Sequence, residues 1–151
     1  MKSIFDQSTR DEIINRIRTL NENSKAQWGK MNVYQMIKHC VLAEEMFLGK
    51  REHKRAFIGK LFGRIALKGM LKNEKPIARN SPTSAHFIVK EQDGDIFSAK
   101  QQWIALVEDY AKFSNDAFVH WFFGKMTKEQ VGYFTYKHID HHLRQFNCQA
   151  I

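Results

Sequence analysis

The chain is poor in the residues that interrupt helices. It holds two prolines and eight glycines in 151 residues, which leaves room for long helical segments. Cysteine is scarce too. Cys40 and Cys148 lie far apart and form no CxxC pair, so they read as free thiols of a reducing compartment. No apolar run reaches the roughly eighteen residues of a membrane span, so none is expected. The stretch Met1-Lys2-Ser3-Ile4-Phe5-Asp6 has no apolar core and no cleavage-site pattern, so no signal peptide is expected and the cytoplasm is the expected location. Glycine-rich phosphate loops, a GxSxG elbow and recognition-helix motifs are missing, which argues against nucleotide chemistry, serine hydrolysis and specific nucleic-acid binding. Repeats and sustained heptads are absent as well.

What remains is ample for a core. A hydrophobic fraction of 43% with twelve phenylalanines excludes disorder, and the length suits one domain over residues 1–151. The net charge of +8 favours anionic partners: a phosphorylated or carboxylated small molecule, nucleic acid or a membrane surface.

Four segments have helical periodicity. The first runs from Thr9 to Glu22, with Thr9 and Glu12 as a capping box and Ile13, Ile14, Ile17 and Leu20 as its apolar stripe. The second runs from Val33 to Leu48, with Asn32 as N-cap, Gln35 as box partner and Gly49 closing it. The third runs from Asp95 to Phe113, with Phe97, Ile104, Val107 and Tyr110 inward. The fourth runs from Lys128 to Asn147 behind the Thr127–Gln130 box. With no convincing strand, this pattern predicts an all-α helical bundle with a long irregular insertion between the second and third helices. Within that insertion Phe57 to Leu71 reads as a short amphipathic helix. Phe57, Leu61, Ile65 and Met70 lie on one side and Lys60, Arg64, Lys68 and Lys72 on the other, while Gly59, Gly63 and Gly69 weaken it. The simplest reading of the basic segment 50–72 is a solvated face; an anion-binding lid or a membrane-surface helix are the alternatives.

The histidines carry the chemistry. Tyr136-Lys137-His138-Ile139-Asp140-His141-His142 places three of seven histidines within five residues of the last helix. His138 and His142 share a face, roughly 6 Å apart along the axis, and could grip one divalent metal. His39 on the second helix is a third candidate. His141, three residues from His138, could serve instead. The plain alternative is that these are partly exposed or carbonyl-bonded structural histidines. His53 and His86 read as surface residues, and His120 as structural. A nucleophilic Cys40–His39 couple is disfavoured, because neighbouring helical residues point about 100° apart.

Trp28-Gly29-Lys30-Met31, Gln35-Met36 with His39-Cys40, Asn80-Ser81-Pro82-Thr83, His120 with Phe122-Phe123-Gly124-Lys125, and Tyr136-Lys137-His138 through Gln145-Phe146 together resemble the DinB-like metal-binding four-helix bundles. The nearest branch is a bacterial family of unknown function. Trp121 departs from that branch, in which proline usually follows the histidine at 120. The resemblance spans nearly the whole chain. It implies an up-down four-helix bundle and a divalent metal held by His39, His138 and His142. The superfamily includes bacillithiol-transferase-type enzymes and mycothiol-dependent maleylpyruvate isomerases.

Three neutral imidazoles suit zinc or nickel best and iron or manganese less well. Three protein ligands leave a position for water or a thiol. The expectation is therefore a metal-dependent hydrolase or thiol S-transferase acting on a small molecule, a thiol or an anion, with Asp140 and Gln145 as outer partners of the ligands. Bundles of this kind often pair, so a homodimer belongs to the same expectation. The competing one is a non-catalytic interaction bundle with structural histidines and a basic anion- or membrane-binding segment.

Overall fold

The computed structural model describes residues 1–149. It is mainly helical, with α1 (Gln7–Arg18), α2 (Val33–Phe47), α3 (Phe57–Met70), α4 (Ile96–Asp109) and α5 (Lys128–Gln145). A two-residue antiparallel hairpin, β1 (Val119–His120) with β2 (Gly124–Lys125), precedes α5 and is the one sheet element among the described residues. So short a hairpin has no alternating pattern to announce it.

Helix starts follow local chemistry. The Asn32 side chain accepts from the Gln35 amide while the Gln35 side chain accepts from the Asn32 amide, and Thr127 and Gln130 do the same for α5. Each box satisfies two backbone donors that a helix start leaves open. The first helix departs from expectation. It starts at Gln7 behind Asp6, so Thr9 lies inside it and the Thr9–Glu12 box does not form. It also stops at Arg18, after which the chain turns Leu20 into the core. α4 ends at Asp109 and tightens into a 3-10 turn over Tyr110–Lys112. Phe97, expected inward, is exposed, because the buried stripe of α4 runs through Ala99, Trp103, Leu106 and Val107.

α1 and α2 each seat against both α4 and α5. Ile13, Ile17, Met36, Phe47, Trp103, Val107, Ile139 and Leu143 belong to one contiguous core, each almost wholly withdrawn from water. A buried polar tie joins α1 to α5 across it. Arg16 Nε donates to the Cys148 carbonyl at 2.8 Å, and its Nη2 pairs with Asp140 Oδ1 at 2.8 Å. Asp140 Oδ2 accepts from Arg144 Nε at 2.6 Å. Buried charge persists only when its partners are all present, and here they join α1 to α5.

The insertion helix α3 packs in a way its hydrophobic pattern does not suggest. Gly59, Gly63 and Leu67 are buried, while Phe57, Ile58, Leu61, Phe62 and Ile65 face solvent at 57–75% exposure. Backbone proximity is the reason. A Cβ added at Gly59 would lie 2.4 Å from the Phe122 carbonyl oxygen, and one at Gly63 2.1 Å from it. The helix therefore lies directly on the hairpin turn along a glycine face that no larger side chain could line. At its far end Lys137 Nζ donates to the Met70 and Asn73 carbonyls at 2.6 and 2.9 Å.

Two glycine substitutions should therefore have opposite signs. A Cβ added at Gly69 would meet nothing within 4 Å, so Gly69→Ala should stabilise by about 0.5–1 kcal/mol through helix propensity. Gly63→Ala should destabilise by about 1–3 kcal/mol through collision with the turn backbone. Urea unfolding of both variants reads the difference; equal shifts would contradict the close approach of α3 to the hairpin.

Candidate metal centre

The stripe Val131, Thr135, His142 and Gln145 of α5 is buried and faces the interior, with His138 partly accessible on the same side. α2 meets α5 and brings in His39, which is 5% exposed. One ring nitrogen each from His39, His138 and His142 lies within 4.8 Å of the others. The Nε2 atoms of His39 and His138 are 3.3 Å apart. The ring centroids of His39 and His142, and of His138 and His142, are both 4.7 Å apart.

Outer contacts decide which ring nitrogen faces the cluster. His39 Nδ1 lies 2.9 Å from the Phe87 carbonyl, which can only accept, so Nδ1 carries the proton and Nε2 its lone pair. His142 Nδ1 lies 3.0 Å from Gln145 Oε1. Gln145 Nε2 donates to the Trp28 carbonyl at 2.7 Å, which orients the amide so that its oxygen accepts from His142. Two of three rings therefore direct lone pairs inward. His138 Nδ1 is buried without a partner. Gly29 completes this support. Its φ of +81° suits glycine, and a Cβ there would come within 2.6 Å of Gln145 Nε2.

The electrostatics agree with neutral rings. Burial lowers the His39 pKa, and it pushes those of His138 and His142 well below the usual histidine value, with the neighbouring imidazoles adding to the fall. Neutral imidazole is the form that ligates metal. Nitrogen–metal bonds of about 2.0–2.1 Å put tetrahedral ligands about 3.3 Å apart, which the His39–His138 pair already matches.

The other candidates separate cleanly. Gln145 does support a cluster ring. Asp140 does not: Arg16 and Arg144 occupy its carboxylate, because the ion pair sits on the α1 side of the helix. His141 points away from the cluster, with Nδ1 3.2 Å from the Ile77 carbonyl and its ring against Trp28. His120 is structural. Its Nδ1 accepts from the Phe122 and Phe123 amides at 3.1 Å each, closing the hairpin turn. His86 is exposed, while His53 is half-buried against it. Cys40 is fully buried beside Met36, with its thiol pKa raised by burial, so no nucleophile arises there. The Phe87 carbonyl was invisible to sequence reasoning, since every residue carries one and only the chain's path brings this one to His39.

A cleft of about 380 Å³ lies beyond His141, bounded by Trp28, Ile77, Arg79, His141 and Arg144 and by none of the clustered histidines. The His141 ring separates it from His142 at 5.1 Å. Further down the core, Glu44 is completely buried and accepts from the Tyr110 hydroxyl, while its Oε1 has no partner.

Fold and site together define a mainly helical protein with a buried three-imidazole cluster at the α2–α5 contact. The chain belongs to the family described as Protein of unknown function (DUF1569), whose model matches residues 3–149 and so includes all three clustered histidines and Gln145. No curated protein and no solved structure matches it.

Two buried groups outside the cluster give opposite pH slopes. Burial, aided by Arg55 and His53, pulls His120 to about 3 from 6.5, so the unfolded chain takes up the proton first and stability falls as pH drops from about 6.5 toward about 3. Burial raises Glu44 to about 8 from 4.5, so the folded chain holds a proton the unfolded chain has released. The Glu44 contribution is whole below about pH 4.5 and lost as pH rises through about 8. Stability should thus decline from pH 6.5 to 8, and Glu44→Gln should flatten that limb by up to about 1.4 kcal/mol per pH unit. Denaturant unfolding across this range is the measurement. A variant profile parallel to the wild type's would contradict a protonated Glu44.

Proposed function

We propose that His39, His138 and His142 hold a divalent metal ion, and that the protein is a metal-dependent enzyme of DinB-like type acting on a small molecule. The observation that carries the reading is the orientation of the donor set: three neutral imidazoles converge, and carbonyl and amide oxygens behind two of them fix the inward lone pairs. His39 and His142 both direct lone pairs inward, and the single ring proton of His138, whose Nε2 is 3.3 Å from His39 Nε2, can answer only one of them, which is unfavourable in a protein core. A cation at their centre relieves that cost, and an outer shell of this kind is how proteins orient metal-binding histidines.

The finer architecture belongs to the same proposal. α1, α2, α4 and α5 form an up-down four-helix bundle, with α3 as the insertion between its second and third members. Zinc or nickel suits three imidazoles best, with iron or manganese next. When bound, such an ion lowers the pKa of a water or low-molecular-weight thiol, the chemistry of a hydrolase or a thiol S-transferase. His39 and His142 hold their orientation through Phe87 and Gln145. Arg79, beside Trp28 and His141, gives an anionic group a place in the cleft on the far side of the His141 ring.

Metal analysis by mass spectrometry of untagged protein tests this. About one ion per chain is expected for the wild type, and none for His39→Ala or His142→Ala with helical content retained. Gln145→Leu should keep the ligands yet weaken affinity about 10- to 100-fold, read by competition with a chromophoric chelator. A wild-type protein that takes up no zinc, nickel or manganese would sink the reading and leave the histidines structural.

A further inference from the structure

Five of the nine large apolar side chains exposed among the described residues lie on α3: Phe57, Ile58, Leu61, Phe62 and Ile65. Their spacing makes two adjacent rows at intervals of four, 57-61-65 and 58-62. These form one stripe along a helix of 14 residues, roughly 21 Å long. Lys60, Arg64 and Lys68 repeat at the same interval along one edge of the stripe. All three are exposed, and none takes part in an ion pair among the described residues. Residues 53–73 contain no aspartate or glutamate. The third face of the helix, Gly59, Gly63 and Leu67, holds it against the hairpin turn.

An apolar patch of this kind, turned outward by a backbone-to-backbone contact on its other side, marks an interface. The charges indicate its occupant. Pairing α3 with a second copy about a twofold axis would bring two rows of cations to the edges of one apolar seam, with no acid in the segment to answer them. An anionic bilayer answers both features: its headgroup region takes the apolar stripe, and its phosphates meet the lysine and arginine row. No helix among the described residues is long and apolar enough to cross a membrane, so the contact is one of lying on the surface.

We infer that α3 is a membrane-surface anchor that lays the Phe57–Ile65 face into the interface of an anionic lipid bilayer. The glycine face fixes the orientation of the helix before any lipid is met, so little ordering entropy opposes binding. This inference is independent of the metal reading, because none of its residues contacts the histidine cluster.

Flotation of the full chain with phosphatidylcholine vesicles, with and without phosphatidylglycerol, tests it. The wild type should float with the anionic vesicles, less with neutral ones, and less as salt is raised. Neutralising Lys60, Arg64 and Lys68 to glutamine should lower partition about a hundredfold, roughly fivefold for each cation. The pair Leu61→Ser and Ile65→Ser should lower uptake at least about tenfold by removing two of the five apolar side chains of the stripe. All five side chains are exposed, so circular dichroism and thermal unfolding should stay at wild-type values. A wild type that remains unbound, or binding undiminished in both variants, overturns the inference. So does a wild-type dimer that the two serines dissociate without any vesicle uptake, which would make the face a contact between copies.

Discussion

The contact between α2 and α5 is governed by how three imidazoles are accommodated away from water. A neutral ring in the core needs its N–H answered, and the fold answers two of them with the Phe87 carbonyl and the Gln145 amide. Each answer draws in another segment. Phe87 ends a 3-10 turn in the long insertion, so satisfying His39 requires that segment to lie across α2. Gln145 is oriented by the Trp28 carbonyl, so satisfying His142 requires the α1–α2 connection to cross the end of α5. The irregular parts of the chain are thereby positioned by the site.

The same economy separates the charged network from the site. Asp140 is four residues from Arg144 and stands among the histidines in sequence, yet it serves Arg16 on α1. A carboxylate behind a ligating ring would raise its basicity. Here the outer partners are neutral oxygens instead, which leaves the three-imidazole set without compensating negative charge. A divalent ion at that set would keep its full charge, and that favours polarising a bound water or thiol.

The α3 helix shows how a packing face can be hidden from hydrophobic pattern. Amphipathicity ordinarily marks the buried stripe by its large apolar residues. On α3 the part of the buried stripe that meets the hairpin is Gly59 and Gly63, with Leu67 one turn further on, because the opposing surface there is a backbone turn and only glycine admits so close an approach. The apolar residues are then left outside, beside the cations.

Much was legible in the residues themselves. Capping boxes at Asn32–Gln35 and Thr127–Gln130 and the 3.6-residue periodicity located α2 and α5, because those signals act within one turn. The shared face of His138 and His142 follows from spacing on one helix; of the two expected outer partners, Gln145 holds a cluster ring and Asp140 does not. Helical spacing left the rest open: the resemblance implied His39, His138 and His142, and the packed chain brings them together. The convergence of His39 with the other two depends on how α2 meets α5. The choice of His142 over His141 depends on which side of α5 faces the core. The burial of Gly63 in place of Leu61 depends on the hairpin backbone beneath α3. Local sequence determines which faces a helix offers; only the packed chain determines which of them is covered, since that depends on partners distant in sequence.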